Sequence, residues 1–202
     1  MSDDTIDELM EATYRALCKQ GYASLRMQDI ADESSKSKAA LHYHFDSKEE
    51  LLRSFLEFLY DRMEQRLENE VASGREDPAA TLLEVVEGKM KSSEDSPETE
   101  FRTAMLELKA EAPYNETFRE ELIEFEELIV GEIRRLIEAG IDDGSVREDV
   151  SPEKTAQFIY TYVGGADVRQ ISTGRPTTCS RKQLRSFMDQ QLFTDDVTGD
   201  SE

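Results

Sequence analysis

Cationic and hydrogen-bonding side chains are concentrated in one short stretch of the sequence, residues 34–48. The stretch carries three lysines, a tyrosine and both histidines of the chain: Lys36, Lys38, Lys48, Tyr43, His42 and His44. Side chains of these types donate hydrogen bonds to phosphate oxygens and to the edges of nucleic-acid bases. Asp46 is the single acid among them, so the stretch is locally cationic. These residues indicate contact with an anionic partner such as nucleic acid.

The two histidines are open to three interpretations. A metal pair is disfavoured, because a spacing of two residues puts His42 and His44 on different faces of a helix. A pH switch is the second interpretation, since histidine titrates near neutral pH. Phosphate contact combined with packing is the third, and it is the one that we expect.

Motifs for enzymatic chemistry do not occur in the sequence. It has no glycine-rich phosphate loop and no HExxH, GxSxG or CxxC pattern. Cys18 and Cys179 are far apart in the sequence, which is typical of reduced thiols without a partner. We therefore expect no enzyme, no cofactor and no metal.

The overall charge is unusual for a nucleic-acid-binding protein, because such domains are normally basic. The chain has 45 acidic and 24 basic residues, and its formal net charge is −21. The acids are dispersed along the chain, and arginines (15) outnumber lysines (9). This composition is typical of proteins from salt-accumulating halophiles, whose cytoplasm screens the self-repulsion. The local charge reversal in residues 34–48 keeps a nucleic-acid partner open.

Apolar residues recur at helical spacing through nearly the whole chain, which predicts nine helices and no strand. A capping box of Thr5 and Glu8 is predicted to open the first helix, and Gly21 to end it. Two short helices joined by a tight polar turn follow, an arrangement typical of a helix-turn-helix. A capping residue followed directly by proline predicts three further helix starts, at Asp77-Pro78, Ser96-Pro97 and Ser151-Pro152.

Two more capping boxes are predicted later in the chain. Ser47 with Glu50 opens a long helix directly after the cationic stretch. Ser180 with Gln183 opens the last helix, whose apolar residues continue to Leu192. The compact unit of three short helices therefore gives way to longer helices near residues 45–50.

The stretch after Gly21 resembles the TetR/AcrR family of transcriptional regulators. The matching residues are Gly21-Tyr22, Met27, Ile30-Ala31, Ser37, Ala39, Leu41, His44-Phe45, Ser47-Lys48 and Leu51. The chain departs from the family pattern at Ser35, which replaces the turn glycine, and at Arg26, which replaces a Thr or Ser cap. Ala40 and His42 replace the usual threonine and tyrosine of the recognition helix, so the DNA sequence preference is expected to differ.

The resemblance implies an all-α, nine-helix TetR-like fold with three regions. Residues 1–48 would form the helix-turn-helix domain, residues 49–193 a ligand-binding and dimerisation domain, and residues 194–202 an acidic tail. It further implies a double-stranded DNA operator, contacted by residues of the helix-turn-helix: Arg26, Gln28, Lys36, Ser37, Lys38, Ala39, His42, Tyr43, His44 and Lys48. Among these, Gln28, Ser37, Lys38 and Ala39 would reach base edges.

The C-terminal helices are expected to join two copies of the chain, as they do in the family. The residues predicted for the homodimer interface are Tyr160, Val163, Gly164, Val168, Leu184, Phe187, Met188 and Leu192. Methionines and aromatic residues of the other helices suit a pocket for an apolar or amphipathic small molecule. That candidate pocket comprises Met90, Phe101, Met105, Leu108, Phe118, Leu122, Phe125, Phe158 and Tyr162, although an ordinary core explains them equally well.

The predicted function is a sequence-specific DNA-binding regulator, most simply a ligand-responsive repressor that binds a pseudo-palindromic operator as a dimer. The alternative is a helical adaptor or sensor that kept the fold and lost DNA binding. The sequence has no apolar run long enough to span a membrane and no basic, apolar start typical of a signal peptide. We therefore expect a cytoplasmic protein.

Overall fold

Nine α-helices follow one another in residues 3–72, 77–89 and 97–194, the part of the chain that the computed structural model describes. Their bounds are α1 Asp3–Ser24, α2 Met27–Asp32, α3 Lys38–His44, α4 Lys48–Ala72, α5 Pro78–Lys89, α6 Pro97–Glu111, α7 Glu116–Asp143, α8 Pro152–Thr173 and α9 Thr178–Phe187. A 3₁₀ turn, Ala112–Tyr114, precedes α7, and a π-helical turn, Met188–Leu192, extends α9. The described residues contain no strand, only an isolated bridge between Val146 and Phe193. The all-α prediction is confirmed.

Proline starts three of the helices, as the sequence predicts: Pro78, Pro97 and Pro152. Proline suits a first helical position, because its missing N–H would have no partner there. The Asp77 carboxylate accepts a hydrogen bond from the Ala80 amide at 2.8 Å and caps α5. Ser151 makes no side-chain cap, and Ser96 lies outside the described residues.

The predicted capping box of Thr5 and Glu8 is wrong. The first helix begins at Asp3, so Thr5 already lies inside it. The Glu8 carboxylate instead accepts a hydrogen bond from the distant Ser35 amide at 2.8 Å. A tertiary partner thus replaces the local cap. The end of α1 agrees with the prediction, since Gly21 has φ 69° and interrupts the helical backbone.

The last predicted cap, Ser180 with Gln183, is also wrong. The helix begins earlier, at Thr178, with Ser180 inside it. The Ser180 hydroxyl accepts a hydrogen bond from the Arg169 guanidinium at 2.8 Å, so it joins α9 to α8. By contrast, Ser47 does cap α4, because its hydroxyl accepts from the Glu50 amide at 3.1 Å.

The chain divides into two compact units, and each has its own apolar core. Unit 1 comprises residues 1–65 and 93–125, and unit 2 comprises residues 66–92 and 126–202. Unit 1 therefore joins α1, α2, α3 and the start of α4 to α6. This packing does not follow the predicted boundary at residue 48, because α6 lies against α1. The division into residues 1–48 and 49–193 stays a prediction about function.

The core of unit 1 seats the helix-turn-helix. Leu9, Ile30 and Leu41 come from α1, α2 and α3, and all three are fully buried. Phe55 of α4 and Phe118 of α7 complete this core. Burial of such a side chain stabilises the fold by roughly 1.5–3 kcal/mol. The core therefore fixes the position of α3, and the face of α3 that points away from the core stays exposed.

The core of unit 2 is built from α5, α7, α8 and α9 with the π-helical turn. Leu82, Ile137, Ile159, Met188 and Leu192 are fully buried in it. None of the helices in the described parts of the chain has a stretch apolar and long enough to cross a membrane.

Candidate DNA-binding surface

The third helix combines a buried side with a polar exposed side. Ser37 caps it, because its hydroxyl accepts a hydrogen bond from the Ala40 amide at 3.2 Å. Leu41 and Phe45 are buried against unit 1. The opposite side exposes five of the predicted DNA contacts, Ser37, Lys38, Ala39, His42 and Tyr43. Tyr43 is 75% exposed, which is unusual for an aromatic ring that has only a structural role.

Glu8 of α1 holds the turn between α2 and α3. Its carboxylate accepts from the Ser35 amide and forms an ion pair with the Lys36 ammonium group at 3.1 Å. The hydrogen bonds from Ser35 and the charge of Lys36 lower the pKa of Glu8 to about 2. Among the described residues positive φ occurs only at glycines, so Ser35 fits this turn without the backbone that a glycine would allow. Lys36 is thus partly neutralised inside the protein.

Arg26 and Gln28 lie exposed at the start of α2. Asp29 caps this helix, because its carboxylate accepts from the Arg26 amide at 2.8 Å and leaves the guanidinium outside. The Gln28 side-chain amide donates to the Asp32 carboxylate at 2.7 Å. Both side chains lie on the polar surface of the helix-turn-helix. Of the two, only Gln28 donates to another side chain among the residues that the structure describes.

Two further predicted contacts, His44 at the end of α3 and Lys48 at the start of α4, are only partly exposed. The Lys48 ammonium lies 4.6 Å from the centre of the Tyr22 ring and donates to the Tyr22 carbonyl at 3.4 Å. His44 is half-buried, with its ring edge-on to Tyr43 at 5.3 Å. Among the three lysines of the stretch, only Lys38 therefore keeps its charge free of neighbours in the described structure.

Sequence reasoning missed the carboxylate that anchors the connection between α1 and α2. Glu107 of α6 accepts hydrogen bonds from the amides of Tyr22 and Ala23, at 2.6 and 3.2 Å. A side chain at Gly21 would approach this carboxylate to 3.0 Å. The one signal in the sequence is an acid among the apolar residues Met105, Leu106 and Leu108 of α6.

The predicted pocket residues are distributed over both units. Leu108 and Phe118 are fully buried in the core of unit 1. Phe101, Met105 and Leu122 pack against that core, with the Phe101 ring 4.7 Å from Tyr14. Phe125 is half-buried in unit 1, while Tyr162 and the 43% exposed Phe158 belong to unit 2. Met90 lies outside the described residues.

Three residues of the predicted dimer interface lie in the interior of unit 2. Leu184, Met188 and Leu192 have at most 1% of their surface exposed, so a second copy could not cover them. The prediction is corrected for these three, because α9 turns this face toward its own subunit. Tyr160, Val163 and Phe187 are half-buried around that core, and burial next to Glu126 raises the pKa of Tyr160 to about 12.

The two remaining interface residues are exposed on α8. Val168 is 44% exposed and Gly164 lies on the same side of the helix. A Cβ atom added at Gly164 or at the neighbouring Gly165 would meet nothing within 4 Å. The subunit itself therefore gives no packing reason for either glycine.

Comparison with known proteins identifies two family models that together span most of the chain. The model of bacterial regulatory proteins of the tetR family matches residues 9–55, which include α2 and α3. The model of the C-terminal domain of BetI-type transcriptional repressors matches residues 78–194, more than half of the chain. The N-terminal region of tetR-family regulators and the C-terminal region of BetI-type repressors thus follow each other in this chain.

Two characterised relatives are similar over most of their length. The HTH-type transcriptional repressor KstR2 of Rhodococcus jostii is 31% identical, with 75% of this chain and 72% of the relative covered. The HTH-type transcriptional repressor AcnR of Corynebacterium glutamicum is 24% identical over 84% of this chain and 83% of the relative. Both relatives are transcriptional repressors and not enzymes.

Solved structures share the fold. A TetR transcription regulator from Haloarcula marismortui superposes with a TM-score of 0.81 and 32% identity, covering 95% of this chain and 100% of that chain. A regulator from Saccharomonospora viridis in complex with choline superposes with a TM-score of 0.80, at 21% identity and with 96% and 100% coverage. This chain therefore belongs to the TetR family of DNA-binding transcriptional regulators, and α3 lies in the position of the recognition helix.

Proposed function

We propose that the protein represses transcription as a homodimer, binds a pseudo-palindromic operator through α3 of each subunit, and leaves the operator when a small molecule binds. The observation that carries the DNA-binding part is the exposed, acid-free face of α3 on a chain with a net charge of −21. Lys38 would donate to a guanine, and the Ala39 methyl group would contact a thymine methyl. Tyr43 and His42 would position the helix on phosphates.

The dimer part of the proposal is supported by the exposed side of α8. Its residues recur at helical spacing and none is charged: Phe158, Thr161, Gly164, Gly165, Val168 and Ser172. One third of all residues in the chain are charged. The exposed charged residues of α8, Glu153, Lys154 and Arg169, border this face and are not part of it. Two glycines in its centre would let two backbones approach closely. A two-fold axis through this face would bring the two α3 helices to a symmetric operator.

The ligand part of the proposal is supported by the aromatic and methionine residues that α6 and the start of α7 contribute to unit 1. Met105 and Phe101 are half-buried, so their side chains can rearrange around an apolar or amphipathic molecule. A ligand releases the operator only to the extent that it binds the DNA-incompetent state more tightly. Choline, which one structural neighbour binds, belongs in the first panel of compounds.

Replacement of Lys38 by alanine is expected to weaken operator binding by about 1–3 kcal/mol, the usual contribution of a side chain that reads a base. The measurement is a fluorescence-anisotropy titration of labelled operator, identified by mapping the genomic DNA that the protein binds. Lys109→Ala is the matched control, because it removes the same charge from an exposed site on α6. Equal affinities of the two variants would exclude Lys38 from the interface. A wild type that enriches no DNA site would favour the adaptor function.

Operator binding is expected to depend only weakly on salt, because we infer from the dispersed acids that the protein works at high ionic strength. Ordinary repressors lose affinity with a slope of about −0.9 per phosphate contacted. Here few lysines face the DNA, and added salt also screens the repulsion between DNA and a dimer with twice the charge of −21. The same titration between roughly 0.5 and 2 M KCl tests this expectation. A steep loss of affinity across that range would contradict it.

A further inference from the structure

A second run of cations, residues 168–188, lies at the end of α8 and along α9. It contains five basic residues and no acid, although acids outnumber basic residues 45 to 24 in the whole chain. The five are Arg169, Arg175, Arg181, Lys182 and Arg185. Neither α3 nor the uncharged face of α8 uses these side chains.

Within the described parts of the chain, carboxylates neutralise only one of the cations on α9. The Arg185 guanidinium lies 2.9 Å from the Asp189 carboxylate and 3.3 Å from the Glu87 carboxylate. Arg181 and Lys182, by contrast, form no ion pair with any of the residues that the structure describes. Two neighbouring positive charges thus remain uncompensated on a strongly acidic protein.

These two cations line a groove between α5 and α9. The groove has a volume of about 450 Å³, within the range of small-molecule sites. Ser186 and Gln190 add neutral hydrogen-bonding groups to its wall. The Arg185 guanidinium lies in the same wall, fixed there by its two carboxylate partners. Glu87 and Asp189 also line the groove, and both carboxylates are paired with Arg185. The rest of the lining offers a planar guanidinium fork at Arg181, a compact ammonium charge at Lys182 and neutral polar groups.

We propose that this groove binds a small polyvalent anion, either a phosphorylated or a polycarboxylate metabolite. A guanidinium matches the paired oxygens of a phosphate or carboxylate, and an ammonium group adds a point charge. The net charge of the chain repels anions at a distance, so an anion that binds here must gain its affinity from direct contacts. An anion with two negative groups can contact Arg181 with one group and Lys182 with the other.

Isothermal titration calorimetry with inorganic pyrophosphate and with tricarballylate tests the proposal on the full-length protein. The wild type is expected to bind at least one of them at one site per subunit, and the compound that binds distinguishes the phosphate from the carboxylate class. The double variant Arg181→Gln with Lys182→Gln is expected to lose affinity by roughly 100-fold or more, because it removes two charged hydrogen bonds at once. Circular dichroism checks that the variant is folded.

The matched control is Arg134→Gln with Lys154→Gln, which removes two exposed cations of unit 2 outside the groove. This control is expected to bind the anion as the wild type does. The proposal is overturned if the wild type binds neither anion. It is equally overturned if the two double variants lose affinity to the same extent, since general charge attraction would then explain the binding.

Discussion

Gly164→Leu is expected to convert the protein from a dimer into a folded monomer. A side chain at this position meets nothing within 4 Å in its own subunit, so leucine fits there without strain. Replacing a glycine inside a helix even favours the folded subunit by roughly 1 kcal/mol. A second α8 packed against this face would instead be pushed away by the leucine side chain. Stability of the subunit and stability of the dimer should therefore change in opposite directions.

Analytical ultracentrifugation measures the first part of this result, with a subunit mass of 23.1 kDa as reference. Operator affinity should fall on the order of 100-fold or more, because two linked reading heads bind far more tightly than one. Gly131→Leu is the matched control, since this α7 glycine also has open space around its Cβ position. A wild type that sediments as a monomer, or a Gly164→Leu variant that remains dimeric, would exclude the proposed interface.

The helices and the recognition helix could be predicted from the sequence because their signals are local. Helical spacing of apolar residues and proline at the first helical position set the start of α5 and α8 within the chain itself. The exposed face of α3 followed from the same periodicity, since Leu41 and Phe45 had to be buried. Such features depend on residues a few positions apart.

The partners of charged residues could not be predicted, because they come from distant parts of the sequence. Glu8 bonds to Ser35, and Glu107 bonds to Tyr22, at separations that no local pattern encodes. The side of α9 that faces the core was also ambiguous. Leu184 and Met188 form an apolar stripe that suits a subunit core and a dimer interface equally well. Only the packing of α9 against α5, α7 and α8 decides between them.

Glu107→Ala is expected to destabilise the connection between α1 and α2 and to weaken operator binding. Its carboxylate is the acceptor for two backbone amides, at Tyr22 and Ala23. Removal of a charged acceptor usually costs about 1.5–3 kcal/mol per hydrogen bond, and the amides can regain part of this from water. Tyr22 is also the residue on which the Lys48 ammonium rests, at the start of α4. Loss of the Glu107 carboxylate is therefore expected to affect the helices on both sides of α3, which are α2 and α4.

Urea unfolding and operator titration of the same samples separate the two effects. Glu107→Ala should lower the free energy of unfolding by about 2 kcal/mol and reduce operator affinity even where the protein is fully folded. Glu107→Gln should recover part of both losses, because an amide oxygen still accepts a hydrogen bond but carries no charge. Glu100→Ala, at an exposed position of the same helix, should change neither quantity. If Glu107→Ala lowers stability but leaves the affinity of the folded protein unchanged, the carboxylate supports the fold without positioning the recognition helix.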